Sequence, residues 1–576
     1  VRRRLLITAG VVVVLVCAGG LWIALRAVAA ARHLTDTRDA VSTVRADLVA
    51  GRDATADLQV AQRDAAAANS ETHDPVWWMA SWLPPVRTVR GLASVANDLV
   101  QHALPPVVAV GPSVTPAKLR VTPDTIALAP LEAAAPKLGQ ADAATAHALA
   151  EVAHLPGGWF GPVSSAREKV LTQLTSLSGS LDTATRFARV GPAMLGADGT
   201  RRYFVGEQNN AESRGTGGLI AGYAIVTADN GRVRVVAQGS NSDFQVPRHP
   251  VVELGHDFDQ LYGNADPTSS WFQSNISPDF PTTADIWAHL WEAQSHQHID
   301  GVIGVDPPAL AALLDVTGPV TVPGYATPIT GATLTDFVES KEYAVFTGAD
   351  QTLRKTFLTR VATAVLHQLL SGSGDPHAIA AALGQQAGTH HLSIWSAVPA
   401  EQAQISGTPL AGEIPRTTAP FVALTVDNAG ASKLDYYLDR TLTYRATSCS
   451  GPTRSATVTV TLDNTAPARG LPSYVTVRGD LPSGNETVAN DHLYVYVHTS
   501  DGAVLTDATL DGRQLGVSTG VEQGHPVYYF DVVLAPGTPR TAVLHLQEPV
   551  PKGAPETKVQ PLARPQQTYL RVPICD

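Results

Sequence analysis

The chain opens on an apolar block and then changes its hydrophobic period twice. Within residues 5–25 Thr8 is the only clearly polar side chain. These 21 residues make about 31 Å of helix at about 1.5 Å each, enough to cross a bilayer's hydrocarbon core. Arg2, Arg3 and Arg4 precede the block. The positive-inside rule therefore predicts a cytoplasmic stub and transmembrane helix over residues 1–30, with the bulk of the chain extracytoplasmic. The block is longer than the roughly 7–15 apolar residues of a cleaved signal peptide. From about residue 31 to 72 the period is helical. Leu34, Val41 and Leu48 recur every seven, with Val44 and Leu58 on the second seam. Thr55 and Gly51 interrupt the series, which predicts a helix packed on its own neighbours, not a long dimeric coil. Asp74-Pro75-Val76-Trp77-Trp78 and Trp82-Leu83-Pro84-Pro85 break the pattern, and with no charged amphipathic face around them these tryptophans read as packing between helices in preference to an interfacial anchor. Helical spacing returns over residues 91–104 and 123–185, so residues 31–195 are expected to form a helical stalk.

From Arg201 the pattern alternates between β and α. A short strand at residues 203–205 runs into a polar, glycine-bearing loop, followed by a strand at 219–227. Asp229-Asn230-Gly231 is a hairpin signal, and residues 232–237 pair back. Thr282-Thr283-Ala284-Asp285 reads as a capping box opening a helix to about Ser295. Gly301-Val302-Ile303-Gly304-Val305 is a buried strand, residues 307–314 a short helix, and 353–370 an amphipathic helix. This predicts an α/β domain over residues 196–375 and a connecting segment over 376–418. Beyond it, strands at 422–426, 437–447, 455–463, 492–498 and 528–534 alternate apolar and polar positions. They predict a β-sandwich over 419–576.

Three cysteines are present. Cys17 lies in the apolar block, which leaves Cys449 and Cys575 as one expected disulfide in an oxidising compartment. The net charge of −11 and the absence of a basic helix exclude a nucleic-acid partner. No nucleophile elbow, zincin helix or Walker loop occurs. His296-Gln297-His298 falls in a helix-to-strand loop and reads as a connection.

The polar run Gln208-Asn209-Asn210-Ala211-Glu212-Ser213-Arg214-Gly215-Thr216-Gly217-Gly218 suits either the approach of backbone and guanidinium to an anion or a hairpin whose glycines serve turn geometry and whose Asn and Glu are solvated. With Asp74-Pro75-Val76-Trp77-Trp78 and Asp300-Gly301-Val302-Ile303-Gly304-Val305-Asp306-Pro307, it resembles the bacterial domain-of-unknown-function 4012 family. The layout of residues 200–372 also distantly resembles the LytR-CpsA-Psr envelope proteins, which transfer polyprenyl-pyrophosphate-linked glycans to cell-wall acceptors, usually with a divalent metal. That resemblance makes Arg214 and Asp243 the catalytic candidates. It places Asn210, Glu212, Arg214, Asn275 and Arg354 at the substrate, and Asp243 with Glu212 on Mg²⁺ or another divalent ion. Asp350 stands with Arg354 in the last helix of that pattern. Ser242 and Gly217 occupy positions where the pattern carries Arg and Asp.

The implied protein is multidomain: anchor, helical stalk, LytR-CpsA-Psr-like α/β domain and β-sandwich. It is expected in the cell membrane, single-pass, handling a polyprenyl-phosphate-linked glycan or cell-wall polymer. Three activities remain open. One is transfer of a glycan phosphate. The second is non-catalytic glycan or lipid binding on the same fold. The third is glycan hydrolysis by carboxylates of the acidic loop holding Asp257, Asp259, Asp266 and Asp279.

Overall fold

A computed structural model describes residues 2–157, 159–346, 351–370, 372–482 and 489–575, and the side chains within them other than those of residues 2–16, 49, 351 and 370. Two compact units result. One is residues 1–121 with 126–197, and the other is 122–125 with 198–576.

The first unit is helical. Helix Arg2–Val49 turns at Gly51, whose φ of 67° suits glycine, and packs along helix Thr55–Glu71. The buried seam is Ala30, Thr37 and Val44, meeting Leu58, Ala61 and Ala65. Leu34, Val41 and Leu48 flank that seam half-buried. Small residues at the contact let the helices approach closely. Helices Pro84–Asp98, Leu128–His154 and Gly161–Met194 complete the unit, packing through Val95, Val152 and Leu174. A short hairpin, β1 (Arg120–Thr122) and β2 (Thr125–Ile126), lies in the same stretch of chain.

The expected transmembrane anchor is not found. Among the described residues no helix is long and apolar enough to cross a membrane. Helix Arg2–Val49 continues unbroken through charged positions, and Arg26 pairs with Glu71 at 2.5 Å.

The second unit begins with an α/β layer. Its central strands are β3 (Arg201–Arg214), β4 (Gly217–Asp229), β5 (Arg232–Ser240), β6 (Gly301–Val305) and β7 (Leu392–Ser396). They run in the order β5-β4-β3-β6-β7. Only β3 and β6 pair in parallel, and helix Phe280–Ser295 lies on the connection between them. One face of the sheet buries Phe204, Ile225, Trp271, Trp287 and Trp291. A Cβ on Gly206 would lie 2.2 Å from the Trp287 ring, so glycine is what lets helix and strand meet. Helices Pro307–Thr317, Gly331–Asp336 and Gln351–Leu370 share a separate core around Leu314, Leu334 and Phe357.

Two expectations change here. Residues 206–214 are not a loop but the second half of β3. The strand slips register between Asn209 and Ser213, so Asn210, Ala211 and Glu212 leave the ladder with β4. Buried carboxylates take up backbone donors here: Glu339 accepts from Asn210 N at 3.0 Å, and Asp435 from Ser213 N at 2.6 Å where the ladder resumes. The helix expected to open on a capping box at Thr282 begins instead at Phe280, with Asp279 as its cap.

The remaining strands form two facing sheets. They are β8 (Phe421–Asn428), β9 (Leu438–Ala446), β10 (Thr453–Asn464), β11 (Asp491–Thr499), β12 (Val504–Leu510), β13 (Arg513–Gln514), β14 (Ser518–Glu522), β15 (His525–Leu534), β16 (Arg540–Pro549), β17 (Glu556–Val559) and β18 (Gln567–Arg571). The orders are β13-β12-β16-β10-β9-β18 and β14-β15-β11-β8-β17. Inward residues such as Leu424, Val458, Val495 and Leu544 fill the space between them. Cys449 and Cys575 are disulfide-bonded with Cα atoms 5.6 Å apart, which fastens the end of the chain beside β10. Strand β8 is buried on both faces, because its outer face packs on β3.

Candidate functional site

A pocket of about 300 Å³ lies over the second half of β3 and beyond the carboxyl end of β6, the kind of place where open α/β sheets collect ligands. Its floor is Glu207, Asn209 and Glu212 of β3 with Leu219 and Gly222 of β4. Asp306 and Pro307, where β6 gives way to a helix, form one side. Arg354, Lys355, Leu358 and Val361 of helix Gln351–Leu370 form another, with Leu310, Leu334 and Val338 adding apolar wall. Tyr343, Lys433 and Tyr474 close it.

The charged groups differ in how they are held. Arg354 is buried, donates from Nη1 to Glu342 at 2.7 Å and lies 5.3 and 5.2 Å from the Tyr343 and Tyr474 ring centres. Burial and Glu342 pull the Arg354 pKa in opposite directions, and it ends above its ordinary value. Lys433 pairs with Glu212 at 2.7 Å and sits over the same Tyr474 ring at 5.2 Å. Lys355 donates to a neutral acceptor, Ser242 Oγ, at 2.8 Å. Burial and neighbouring Arg354 lower its pKa. Glu207 stands apart from these pairs, and burial alone pushes its pKa up to about 7. Its carboxylate faces the Gly222 position, where an added Cβ would lie 2.7 Å from Oε2.

Of the residues singled out from sequence, Glu212 and Arg354 line this pocket. Arg214 does not. It is 4% exposed and its guanidinium donates to three backbone carbonyls, Phe272 O at 3.0 Å, Ser213 O at 2.8 Å and Asn428 O at 3.2 Å. It ties β3 to the loop before helix Phe280–Ser295 and to the end of β8. Asn275 is fully buried and donates to Gln208, Thr216 and Gly218. Asn210 is fully buried and donates from Nδ2 to Pro561 O at 3.1 Å. Asp243 is exposed and caps a single turn, its Oδ2 accepting from Ser240 N at 3.0 Å. Asp350 lies outside the described residues. Glu212 and Asp243, expected to share a metal, are thus used separately. Among the described residues no group of three or more His, Cys, Asp or Glu side chains is placed to hold a metal ion.

Sequence reasoning missed Glu207, Lys355, Lys433, Tyr343 and Tyr474. Glu207 was legible in principle, since it continues the alternation of β3 two residues past Val205. Lys355 adjoins Arg354 on a helix that the sequence predicts. Lys433 and Tyr474 come from between strands of the β-region, and no local pattern announces them.

Two wider clefts, of about 610 and 990 Å³, lie elsewhere on this unit around Arg416 and Gln523. Buried charge reaches both, Glu522 in the smaller and Asp279 with Lys558 in the larger, but neither has an aliphatic wall like that of Leu310, Leu334, Val338 and Leu358. Beneath them Glu522 accepts from Ser277 at 2.5 Å and Tyr262 at 2.8 Å and meets His498 Nε2 at 2.8 Å. That buried set joins the α/β layer to the β-sheets.

Residues 198–343 match the family described as Protein of unknown function (DUF4012), which supports that resemblance for this segment and leaves the LytR-CpsA-Psr likeness unshown. No curated protein and no solved structure matches the chain.

Proposed function

We propose that the chain is an extracytoplasmic binding protein for an anionic ligand with an apolar arm, a phosphorylated or lipid-linked glycan of the cell envelope. The observation that carries the reading is the pairing, in one pocket, of Lys355 with an apolar wall from Leu310, Leu334, Val338 and Leu358. Lys355 is bonded to a hydroxyl, so a phosphate can take its charge without breaking an ion pair. Arg354 and Lys433 stand beside it, already oriented by Glu342, Glu212 and the tyrosine rings. The disulfide supports residence outside the reducing cytoplasm.

The test is calorimetric titration with farnesyl diphosphate, farnesol and inorganic pyrophosphate. Binding of farnesyl diphosphate, with much weaker binding of the other two, is expected. Lys355→Ala should weaken it about 10-fold or more, the scale of a charge-assisted hydrogen bond. Equal binding of all three, or none, defeats the reading.

Glu207 favours a second reading, transfer of the glycan phosphate. A carboxyl titrating near neutrality can take the proton of an acceptor hydroxyl as its oxygen attacks phosphorus and the lipid phosphate leaves. In that case Glu207→Gln abolishes transfer and spares binding.

A further inference from the structure

Of the nine tryptophans, Trp271, Trp287 and Trp291 are buried in the aromatic core of the second unit, and Trp395 packs against it. Trp77 is buried in the helical unit. The other four are Trp22, Trp78, Trp82 and Trp159, exposed by 44, 69, 80 and 78%. All four belong to the helical unit, and the contacts bring the segments that carry them together. Trp22 Nε1 donates to Asp74 Oδ2 at 2.7 Å, and Asp74 caps the helix Pro75–Ala80 that carries Trp78 and exposed Met79. Trp82 precedes helix Pro84–Asp98. Thr88, in the first turns of that helix, donates to Pro156 O at 2.9 Å, three residues before Trp159. Phe160 beside Trp159, and Leu21 and Leu25 beside Trp22, are also exposed.

Water is a poor partner for so many indoles gathered in one region of a helical unit. The charge around them narrows what covers them. The chain carries a net −11, yet residues 75–97 contain Arg87 and Arg90 and no carboxylate. The nearby acids Glu71 and Asp74 are already engaged by Arg26 and Trp22. Amphipathic aromatic rings with an apolar body and an N–H tip, next to unopposed arginines, match the headgroup layer of a phospholipid membrane. A protein partner of the same shape would gain nothing from the missing carboxylates unless it too were anionic.

We propose that this region of the helical unit rests in the interfacial layer of a phospholipid bilayer, with Trp78, Trp82, Trp159 and Phe160 at headgroup depth and Arg87 and Arg90 against lipid phosphates. The proposal concerns the helical unit alone and is independent of the ligand pocket.

The test uses the full chain with vesicles of phosphatidylcholine and phosphatidylglycerol carrying brominated acyl chains, which quench tryptophans that enter the interface. Quenching is expected. In Trp78→Phe/Trp82→Phe/Trp159→Phe it should fall by more than half while sedimentation with vesicles persists. Replacing those three and Phe160 by Ser should weaken vesicle partitioning about 10-fold or more. These side chains are exposed, and retained far-UV circular dichroism checks the fold of both variants. Quenching that the Phe variant leaves unchanged would overturn the proposal, because contact would then lie elsewhere on the chain. So would absence of vesicle binding, or a concentration-dependent dimer whose formation alone shields these tryptophans.

Discussion

Replacing Glu207 by Gln removes the one pocket carboxyl whose pKa is raised by burial alone. Its ordinary value is 4.5 and the folded value about 7. At about 1.4 kcal/mol per unit, the full difference is about 3 kcal/mol. The sign follows from proton binding. Between these two values the folded chain holds a proton that the unfolded chain has lost. The contribution of Glu207 to stability is therefore complete below about pH 4.5 and is lost as pH rises through about 7. Glutamine copies the protonated form and does not titrate. The stability of Glu207→Gln relative to the parent should then rise by about 3 kcal/mol from pH 4 to pH 8. Urea denaturation of both proteins, at half-unit pH steps, reads this difference and cancels groups common to both. The same substitution should remove the weakening of farnesyl diphosphate binding expected in the parent above about pH 7, where an ionised Glu207 would face the phosphate. Parallel stability curves over the whole range would refute the assignment of a half-buried pocket carboxyl that its surroundings hold protonated.

Arg214→Ala should destabilise the second unit by about 3 kcal/mol, because three buried carbonyls lose a charged donor; urea denaturation measures it, and unchanged stability with lost ligand binding would place Arg214 at the ligand instead. Cys449→Ser/Cys575→Ser should cost about 2–5 kcal/mol by opening a loop of 126 residues, read as a lower denaturation midpoint of the β-region, and an unchanged midpoint would contradict it. Asp435 and Asp491 share a buried hydrogen bond, and burial raises both pKa values. Stability from this pair is present at low pH and lost as pH rises, so Asp491→Asn should gain on the parent toward alkaline pH in the same denaturation series; a constant difference would contradict the shared proton.

Local patterns made much of the strand and helix content legible. Residues 301–305 read as an apolar strand, and β6 has those bounds. Asp229-Asn230-Gly231 read as a hairpin, and β4 and β5 meet there, with Asn230 and Gly231 at positive φ. The disulfide followed from cysteine arithmetic. The polar half of β3 did not read as strand, because its backbone and side chains are satisfied by Glu339, Asp435, Phe272 and Asn428, some of them more than 200 residues away. Arg214 misled for the same reason: an arginine among glycines and carboxamides looks alike whether it serves an anion or backbone carbonyls. The tryptophans of residues 77–82 read in sequence as helix packing, and only Trp77 of that cluster is buried. The pocket itself is assembled from β3, β6, a helix near residue 354 and two side chains beyond residue 430, a convergence no window of sequence contains.

The most direct test of the binding account is to locate the ligand. A crystal structure of the full chain with farnesyl diphosphate should place the diphosphate against Lys355 and the prenyl chain along Leu310, Leu334 and Val338, with Glu207 facing the phosphate. Density for the ligand in the cleft around Arg416 and Gln523, with the Lys355 pocket empty, would contradict it.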